Sequence, residues 1–175
     1  SAGRGRSRVS GPGRYPVRVT STDAPLPDCT DDLARAIRLA DAADAAAMRR
    51  FDASDLQVDA KPDATFVTEA DLETERAIRD ILEQERPGDG VLGEEFGTTG
   101  GTHRQWIIDP IDGTHNYLRG IPMWSVLIAL AVDGVPQVGV VSMPALGRRW
   151  WAAQGLGAWT NSPSGGDRRI TVSSI

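Results

Sequence analysis

The chain has 175 residues, of which 40% are hydrophobic and 25% charged, with a net charge of -5. This composition is typical of a globular domain with a hydrophobic core, and the negative charge argues against a general nucleic-acid binder. The longest apolar run, 123–132, falls well short of the ~20 residues that a membrane-spanning helix needs, and the single Cys29 cannot form an internal disulfide, so we expect no membrane partner and a cytoplasmic location.

Residues 1–28 differ in composition from the rest of the chain. They are rich in Arg, Gly and Pro, contain no acidic residue before Asp23, and lack the apolar core of a secretory signal. We predict a disordered tail or mistranslated upstream sequence, with an arm that binds nucleic acid or another anion as the alternative. Because the first residue is Ser rather than Met, we also expect a fragment.

The first predicted element is a helix that starts at Thr30, its predicted N-cap, and reaches Phe51. Two Asp residues in its first turn and two Arg residues in its last turn suit the helix dipole. Helical spacing predicts one buried apolar stripe, formed by Leu33, Ile37, Ala40, Ala43, Ala47 and Phe51.

The rest of the chain predicts one more long helix and a series of strands. Segment 56–71 indicates a short strand, a Pro-bearing turn and the start of a helix near Thr68, which runs to about Arg86. A short strand precedes Glu94, and the Asp-Gly pair at 133–134 predicts a hairpin turn. The other predicted strands are Gln105–Ile108, Ser125–Val132, Val135–Ser142, Arg148–Ala153, Gly157–Thr160 and a last strand with Ile170 and Val172 alternating. Since strands follow one another directly, we predict an α+β fold, a mostly antiparallel sheet covered by the two long helices.

Acidic residues follow two of these strands. Asp109 and Asp112 come after Gln105–Ile108, and Glu94 follows a strand that would lie next to it. Converging carboxylates repel one another and therefore protonate, separate or bind a cation. Oxygen ligands without His or Cys favour Mg²⁺, and the Ile111 carbonyl would point at the same ion.

A candidate phosphate site follows immediately. Gly113 and Thr114 open a short helical segment, and free amides at a helix N-terminus bind phosphate. Metal ligands beside an anion site indicate metal-assisted attack of water on a phosphate monoester. Each residue also has a structural explanation: Asp112 and Gly113 form an ordinary turn pair, and Asp71 is a natural capping partner of Thr68. Glu94 and Glu95 would likewise suit a solvated loop.

Four segments together resemble the inositol monophosphatase family of Mg²⁺-dependent sugar-phosphate phosphatases. They are W-I-I-D-P-I-D-G-T-H-N-Y at 106–117, L-G-E-E-F-G at 92–97, K-P-D-A-T-F-V-T-E-A-D at 61–71 and G-L-G-A-W-T-N at 155–161. The resemblance covers about 32–174. It implies that 30–175 is the N-terminal, metal-binding lobe of an αβαβα sandwich that acts on a small phosphorylated substrate.

The resemblance implies two or three Mg²⁺ ions and a role for each matching residue. Glu94, Asp109 and the Ile111 carbonyl would hold the first ion, which makes Glu94 part of the catalytic group. Asp109 would bridge to a second ion bound by Asp112. Thr114, together with Asp71, would orient and activate the attacking water.

Further roles concern the phosphate and the surroundings of the metals. The amides of Gly113 and Thr114 would bind the phosphate. Lys61, the single lysine among 19 basic Lys and Arg residues, would belong to a mobile loop that closes the site. Glu95 would support the metal ligands indirectly, and Asn116 would brace the turn.

Within the family, R-G-I-P-M-W at 119–124 is most similar to the bacterial histidinol-phosphatase branch. His115 departs from that branch, in which we expect Lys, and from inositol-specific members, in which we expect Thr. An inositol or related sugar-phosphate phosphatase is the alternative, and a non-catalytic anion-binding module is the alternative outside the enzymes. The family's later W-D-x-A-A-G motif is absent from the sequence. We therefore expect a truncated chain without its C-terminal lobe, weak or inactive by itself; a homodimer is also implied.

Overall fold

The computed structural model describes residues 28–53, 58–60, 66–162 and 165–173. The predicted tail 1–28 lies outside the described residues except for Asp28, and Lys61 lies outside them as well. The helices are α1 (Thr30–Arg50), α2 (Glu69–Glu85) and α3 (Thr114–Leu118), with a 3₁₀ turn at Pro144–Leu146. The strands are β1 (Val58–Ala60), β2 (Phe66–Thr68), β3 (Gly90–Gly93), β4 (Gly97–Thr99), β5 (Arg104–Asp112), β6 (Ser125–Val132), β7 (Val135–Met143), β8 (Arg148–Ala153), β9 (Gly157–Asn161) and β10 (Asp167–Ile170).

Eight of these strands form one sheet in the order β10-β9-β8-β7-β6-β5-β3-β4. All neighbours in it are antiparallel except β3 and β5, which run parallel. Strands β1 and β2 form a separate antiparallel hairpin. The predicted α+β class with a mostly antiparallel sheet is therefore confirmed.

The two long helices contact each other and cover one face of the sheet. Alternate residues of the central strands, among them Trp106, Ile108, Ile128 and Leu130, are buried on this side. The intervening Ile107 is 39% exposed. The hydrophobic core therefore lies between the helices and the sheet. None of the helices in the described part of the chain is long and apolar enough to cross a membrane.

Helix α1 differs from the prediction in its cap and in its buried face. Cys29 is the N-cap residue, without a side-chain capping bond, so the prediction of Thr30 as N-cap was wrong. The Thr30 amide donates instead to Asp28 Oδ1, at 3.0 Å. The fully buried residues are Ala36, Leu39, Ala40, Ala43, Ala46 and Ala47, whereas Leu33, Ile37 and Phe51 are partly buried. The buried face is wider than predicted because α1 contacts both α2 and the sheet.

Several predicted strands are present, but two strands were missed and some strand ends were wrong. The hairpin of β6 and β7 is present, and Asp133 and Gly134 both have the positive φ that a tight two-residue turn needs. Strands β2 and β4 were missed. Strand β5 extends to Asp112 rather than ending at Ile108. Val172 lies beyond β10 and is 96% exposed, so the predicted alternation of the last strand was wrong.

Candidate active site

Parallel pairing of β3 with β5 brings Glu94 beside Asp109. Gly93 is paired with Ile108 in the register of the two strands, and the Glu94 amide donates to the Ile108 carbonyl at 3.2 Å. Since the carboxyl ends of parallel neighbours lie at the same edge of a sheet, the residues that follow them are adjacent. This edge of the sheet therefore carries the first two predicted metal ligands side by side.

A bulge at Pro110 brings Asp112 to the edge of the sheet that carries Glu94 and Asp109. Asp109 is paired with Leu127 and Asp112 with Ser125, so β5 has one more residue than β6 between these two pairs. In a regular strand, residues three apart, such as Asp109 and Asp112, point to opposite faces of the sheet. The extra residue in the bulge allows both side chains to lie on the same side. Proline suits the bulge because it has no N–H to donate to the ladder.

The carboxylate of Asp109 is partly buried and lies near other negative charges, so its ionised form is disfavoured. Burial, a side-chain hydrogen bond with Glu94 and the negative charges of Glu94, Asp112 and Asp71 raise the pKa of Asp109 to about 7. Its Oδ1 atom is buried and has no hydrogen-bond partner among the described residues. Four carboxylates thus interact at this site, and one buried oxygen has no hydrogen-bond donor among the described residues.

The acidic side chains do not form a finished coordination shell. Within the described ranges, no three His, Cys, Asp or Glu side chains are arranged as a group that would hold a metal ion. The donor set nevertheless fits a hard cation: it consists of carboxylates and the Ile111 carbonyl, and Asp109 Oδ1 has no hydrogen-bond partner among the described residues.

Asp71 lies at the start of α2, as the third residue after the N-cap Thr68. Its Oδ2 atom accepts hydrogen bonds from the Thr68 amide, at 2.8 Å, and from the Thr68 hydroxyl, at 2.6 Å. The predicted capping box is thus present. Desolvation by burial raises the pKa of Asp71, and the negative charge of Glu94 acts in the same direction. Asp71 is therefore both a capping residue and a member of the carboxylate cluster.

Gly113 is the N-cap of α3 and has φ +94°, a left-handed conformation that favours glycine. A Cβ atom at this position would lie 3.2 Å from the Met123 carbonyl. The Thr114 hydroxyl donates to the Ile111 carbonyl at 3.1 Å, and the Asn116 amide group donates to the Met123 carbonyl at 2.7 Å. The backbone at the start of α3 is therefore held close to Asp109 and Asp112.

An aromatic cluster anchors α3 to α1, which the sequence patterns did not indicate. The rings of Phe51, Tyr117 and Trp124 lie 5.0 to 5.4 Å apart, centroid to centroid. The Tyr117 hydroxyl donates to the Ala47 carbonyl at 2.7 Å. Phe51 follows α1, Tyr117 lies on α3 and Trp124 precedes β6, so periodicity within one element does not reveal the cluster.

A buried glutamate was also missed. Glu75 lies one turn after Asp71 on α2 and is fully buried, and it accepts hydrogen bonds from the Glu95 and Phe96 amides. The available signal was its spacing: four residues after Asp71, it shares the same helix face. Lys61 lies outside the described residues, and its role stays a prediction.

The sequence profile of the inositol monophosphatase family matches residues 29–174. The chain belongs to the inositol monophosphatase family. Among its relatives in this family, a histidinol-phosphatase of Mycobacterium tuberculosis is 58% identical over 146 residues, which are 83% of this chain and 56% of the relative. A histidinol-phosphatase of Streptomyces coelicolor is 54% identical over 154 residues, which are 86% of this chain and 58% of the relative.

The fold agrees with that of solved members of the inositol monophosphatase family. The structure of the extragenic suppressor protein suhB of Bartonella henselae superposes with a TM-score of 0.76 and 33% identity, covering 83% of this chain and 56% of that protein. The chain thus spans little more than half the length of the relatives that it matches.

Proposed function

We propose that the protein containing this chain is a Mg²⁺-dependent phosphate monoester hydrolase that acts on histidinol phosphate. The observation that carries the proposal is the electrostatic interaction of Asp109 with Glu94 and Asp112, together with a buried Asp109 Oδ1 that has no hydrogen-bond partner among the described residues. Carboxylates in this state bind a divalent cation favourably.

The residues that would hold Mg²⁺ are Glu94, Asp109, Asp112 and Ile111, the last through its carbonyl. The chemistry supplied by bound Mg²⁺ is polarisation of the phosphoryl oxygens and a lower pKa of the attacking water. Burial and the negative charges of neighbouring carboxylates raise the pKa of Asp109 to about 7, which supports this assignment because a bound cation would neutralise that charge. The number of ions, two or three, remains part of the proposal.

The chain's own groups would bind the substrate and activate the water. The backbone amides of Gly113 and Thr114 would donate to the phosphate at the start of α3. The Thr114 hydroxyl donates its hydrogen to the Ile111 carbonyl, which leaves the lone pairs of Oγ1 to accept a hydrogen from the attacking water. Asp71, whose pKa is raised by burial, would take up the proton that this water releases.

Histidinol phosphate is the substrate that the comparisons favour, since the two most similar relatives described above bear the name histidinol-phosphatase. The chain covers only 56% and 58% of their lengths, so we propose that 30–175 is one lobe of the complete enzyme. By itself it would be a weak or inactive catalyst. A homodimer in the cytoplasm is the assembly and location that we propose.

The test is phosphate release by the complete gene product with Mg²⁺, comparing histidinol phosphate with inositol phosphate. We expect a higher kcat/KM for histidinol phosphate, and loss of release with both substrates in Asp109→Asn. A higher kcat/KM for inositol phosphate would identify the protein as an inositol or related sugar-phosphate phosphatase instead. If neither substrate is hydrolysed and Asp109→Asn leaves binding of an anionic partner unchanged, the protein is an anion-binding module and the hydrolase proposal fails.

A further inference from the structure

Glu75 carries a carboxylate at a position where a helix normally places an apolar side chain. It is on the face of α2 that packs against the sheet, and its side chain is 0% exposed. Burial of a charge costs free energy unless the charge is paired and fully hydrogen-bonded. The contacts of Glu75 therefore indicate why a glutamate is tolerated there.

These contacts converge on the turn that carries Glu94. Glu75 Oε2 accepts from the Glu95 amide at 2.7 Å, and Oε1 accepts from the Phe96 amide at 3.3 Å. The Glu94 amide donates to the Ile108 carbonyl. All three backbone amides between β3 and β4 thus have acceptors, two of them on the Glu75 carboxylate.

Gly93, on the other side of Glu94, is packed directly against the same carboxylate. A Cβ atom at position 93 would lie 1.8 Å from Glu75 Oε1 and 2.3 Å from its Cδ, so a glycine is required while Glu75 stays in place. The residues before and after Glu94 therefore both rest on Glu75, and the side chain fixes the backbone from which Glu94 projects.

Arg79 completes this arrangement one helical turn further along α2. Its Nε donates to Glu75 Oε1 at 2.7 Å and balances the buried charge. Its other nitrogens donate to the Gly97 carbonyl and to the Thr99 hydroxyl, and its guanidinium lies 5.9 Å from the centroid of the Phe96 ring. The Glu75–Arg79 pair thereby ties both ends of the turn to α2.

We infer that Glu75 is a positioning residue for the metal site: through the amides of Glu95 and Phe96, it sets the backbone that aims Glu94 at Asp109. This inference rests on the proposed function, because it assigns Glu94 to a Mg²⁺ ligand set. Glu75 itself touches neither substrate nor metal. Loss of its charge would loosen the turn and weaken Mg²⁺ binding without removing a ligand.

Glu75→Gln is the variant that tests the inference, since it keeps the size of the side chain and removes its charge. The matched control is Asp89→Asn. Asp89 is also a buried carboxylate paired with arginines, bonding Arg86 and Arg104, but it precedes β3 at the end away from Glu94. Mg²⁺ affinity is measured by isothermal titration calorimetry on the complete gene product, and exchange of the Glu95 amide is followed without Mg²⁺.

We expect Glu75→Gln to bind Mg²⁺ about tenfold more weakly and to exchange the Glu95 amide faster, whereas Asp89→Asn loses thermal stability but keeps its Mg²⁺ affinity. Equal affinity in wild type and Glu75→Gln overturns the positioning role and leaves the proposed function standing. If wild type binds no Mg²⁺, both the proposed function and this inference fail. Arg79→Gln, which retains Glu75, provides the same measurement if Glu75→Gln does not fold, and unchanged affinity in that variant overturns the inference.

Discussion

Glu94 lies beside Asp109 across the parallel pair β3 and β5, where the Glu94 amide donates to the Ile108 carbonyl. Burial and the negative charge of Glu94 raise the pKa of Asp109 to about 7. Ionisation of Asp109 therefore places two carboxylates side by side near neutral pH. A bound cation would relieve their repulsion.

Asp109→Asn should stabilise the chain at high pH when no metal is present. The folded-state pKa of Asp109 lies above the ordinary value of 3.8, so its contribution to stability is greatest below that value and is lost as the pH rises through about 7. We expect the melting temperature of wild type to fall relative to that of Asp109→Asn between pH 5 and pH 8, as thermal unfolding in the presence of a chelator will measure.

Mg²⁺ should raise the melting temperature of wild type above that of Asp109→Asn at high pH. At pH 8 we expect added Mg²⁺ to raise the melting temperature of wild type and to leave Asp109→Asn unchanged, because binding to the folded state alone is stabilising. A Mg²⁺-dependent rise of equal size in both proteins would show that Asp109 is not a ligand.

Gly113→Ala should remove phosphate binding beyond its effect on stability. The left-handed backbone at Gly113 costs a non-glycine residue about 1–2 kcal/mol, and the new methyl group would approach the Met123 carbonyl. The control is Gly134→Ala in the hairpin turn, where φ is +76° and nothing lies within 4 Å of the added Cβ. We expect denaturant titrations to report a loss of stability in both variants, larger in Gly113→Ala, with phosphate release by the complete protein lost only in Gly113→Ala.

Thr68→Ala should destabilise the start of α2. The variant loses the hydroxyl that accepts from the Ala70 and Asp71 amides and donates to Asp71, and loss of such a cap costs about 1 kcal/mol. Thr68→Ser keeps the hydroxyl and is the control. Urea unfolding should rank wild type and Thr68→Ser above Thr68→Ala; a Thr68→Ala protein as stable as the serine variant would contradict the capping role.

Tyr117→Phe should weaken the attachment of α3 to α1. The buried hydroxyl donates to the Ala47 carbonyl, and a hydrogen bond of this kind contributes about 1 kcal/mol. The ring contacts with Phe51 and Trp124 remain in the variant, so a larger loss is not expected. Denaturant unfolding measures the change, and an unchanged free energy of unfolding would mean that water replaces the bond at no cost.

The features predicted correctly from sequence depend on local chemistry. The Asp133–Gly134 turn was predicted because two adjacent residues determine it, and both have positive φ. The Thr68–Asp71 capping box is equally local. The carboxylate cluster differs from these two features because Glu94 approaches Asp109 through the pairing of β3 with β5, and its role in binding a metal stays a prediction.

The features that were missed depend on contacts between distant segments. Strand β4, Gly97–Thr99, has no alternation of apolar residues and is a strand because it pairs with β3. Alanines in α1 carry too little hydrophobicity to distinguish its faces, so packing on α2 decided which were buried. Glu75 was missed because glutamate in a helix is usually solvent-exposed, and only the turn amides supplied by another element explain its burial.

The parallel seam between β3 and β5 also has a kinetic consequence. Strands β6 to β9 are joined in succession by short connections, whereas the parallel strands β3 and β5 cannot be joined by a tight turn, and the chain passes through β4 between them. Glu94 reaches Asp109 only when β3 has paired with β5. A cation bound between Glu94 and Asp109 would stabilise a contact that forms late in folding. It would therefore slow unfolding of the sheet far more than it speeds folding.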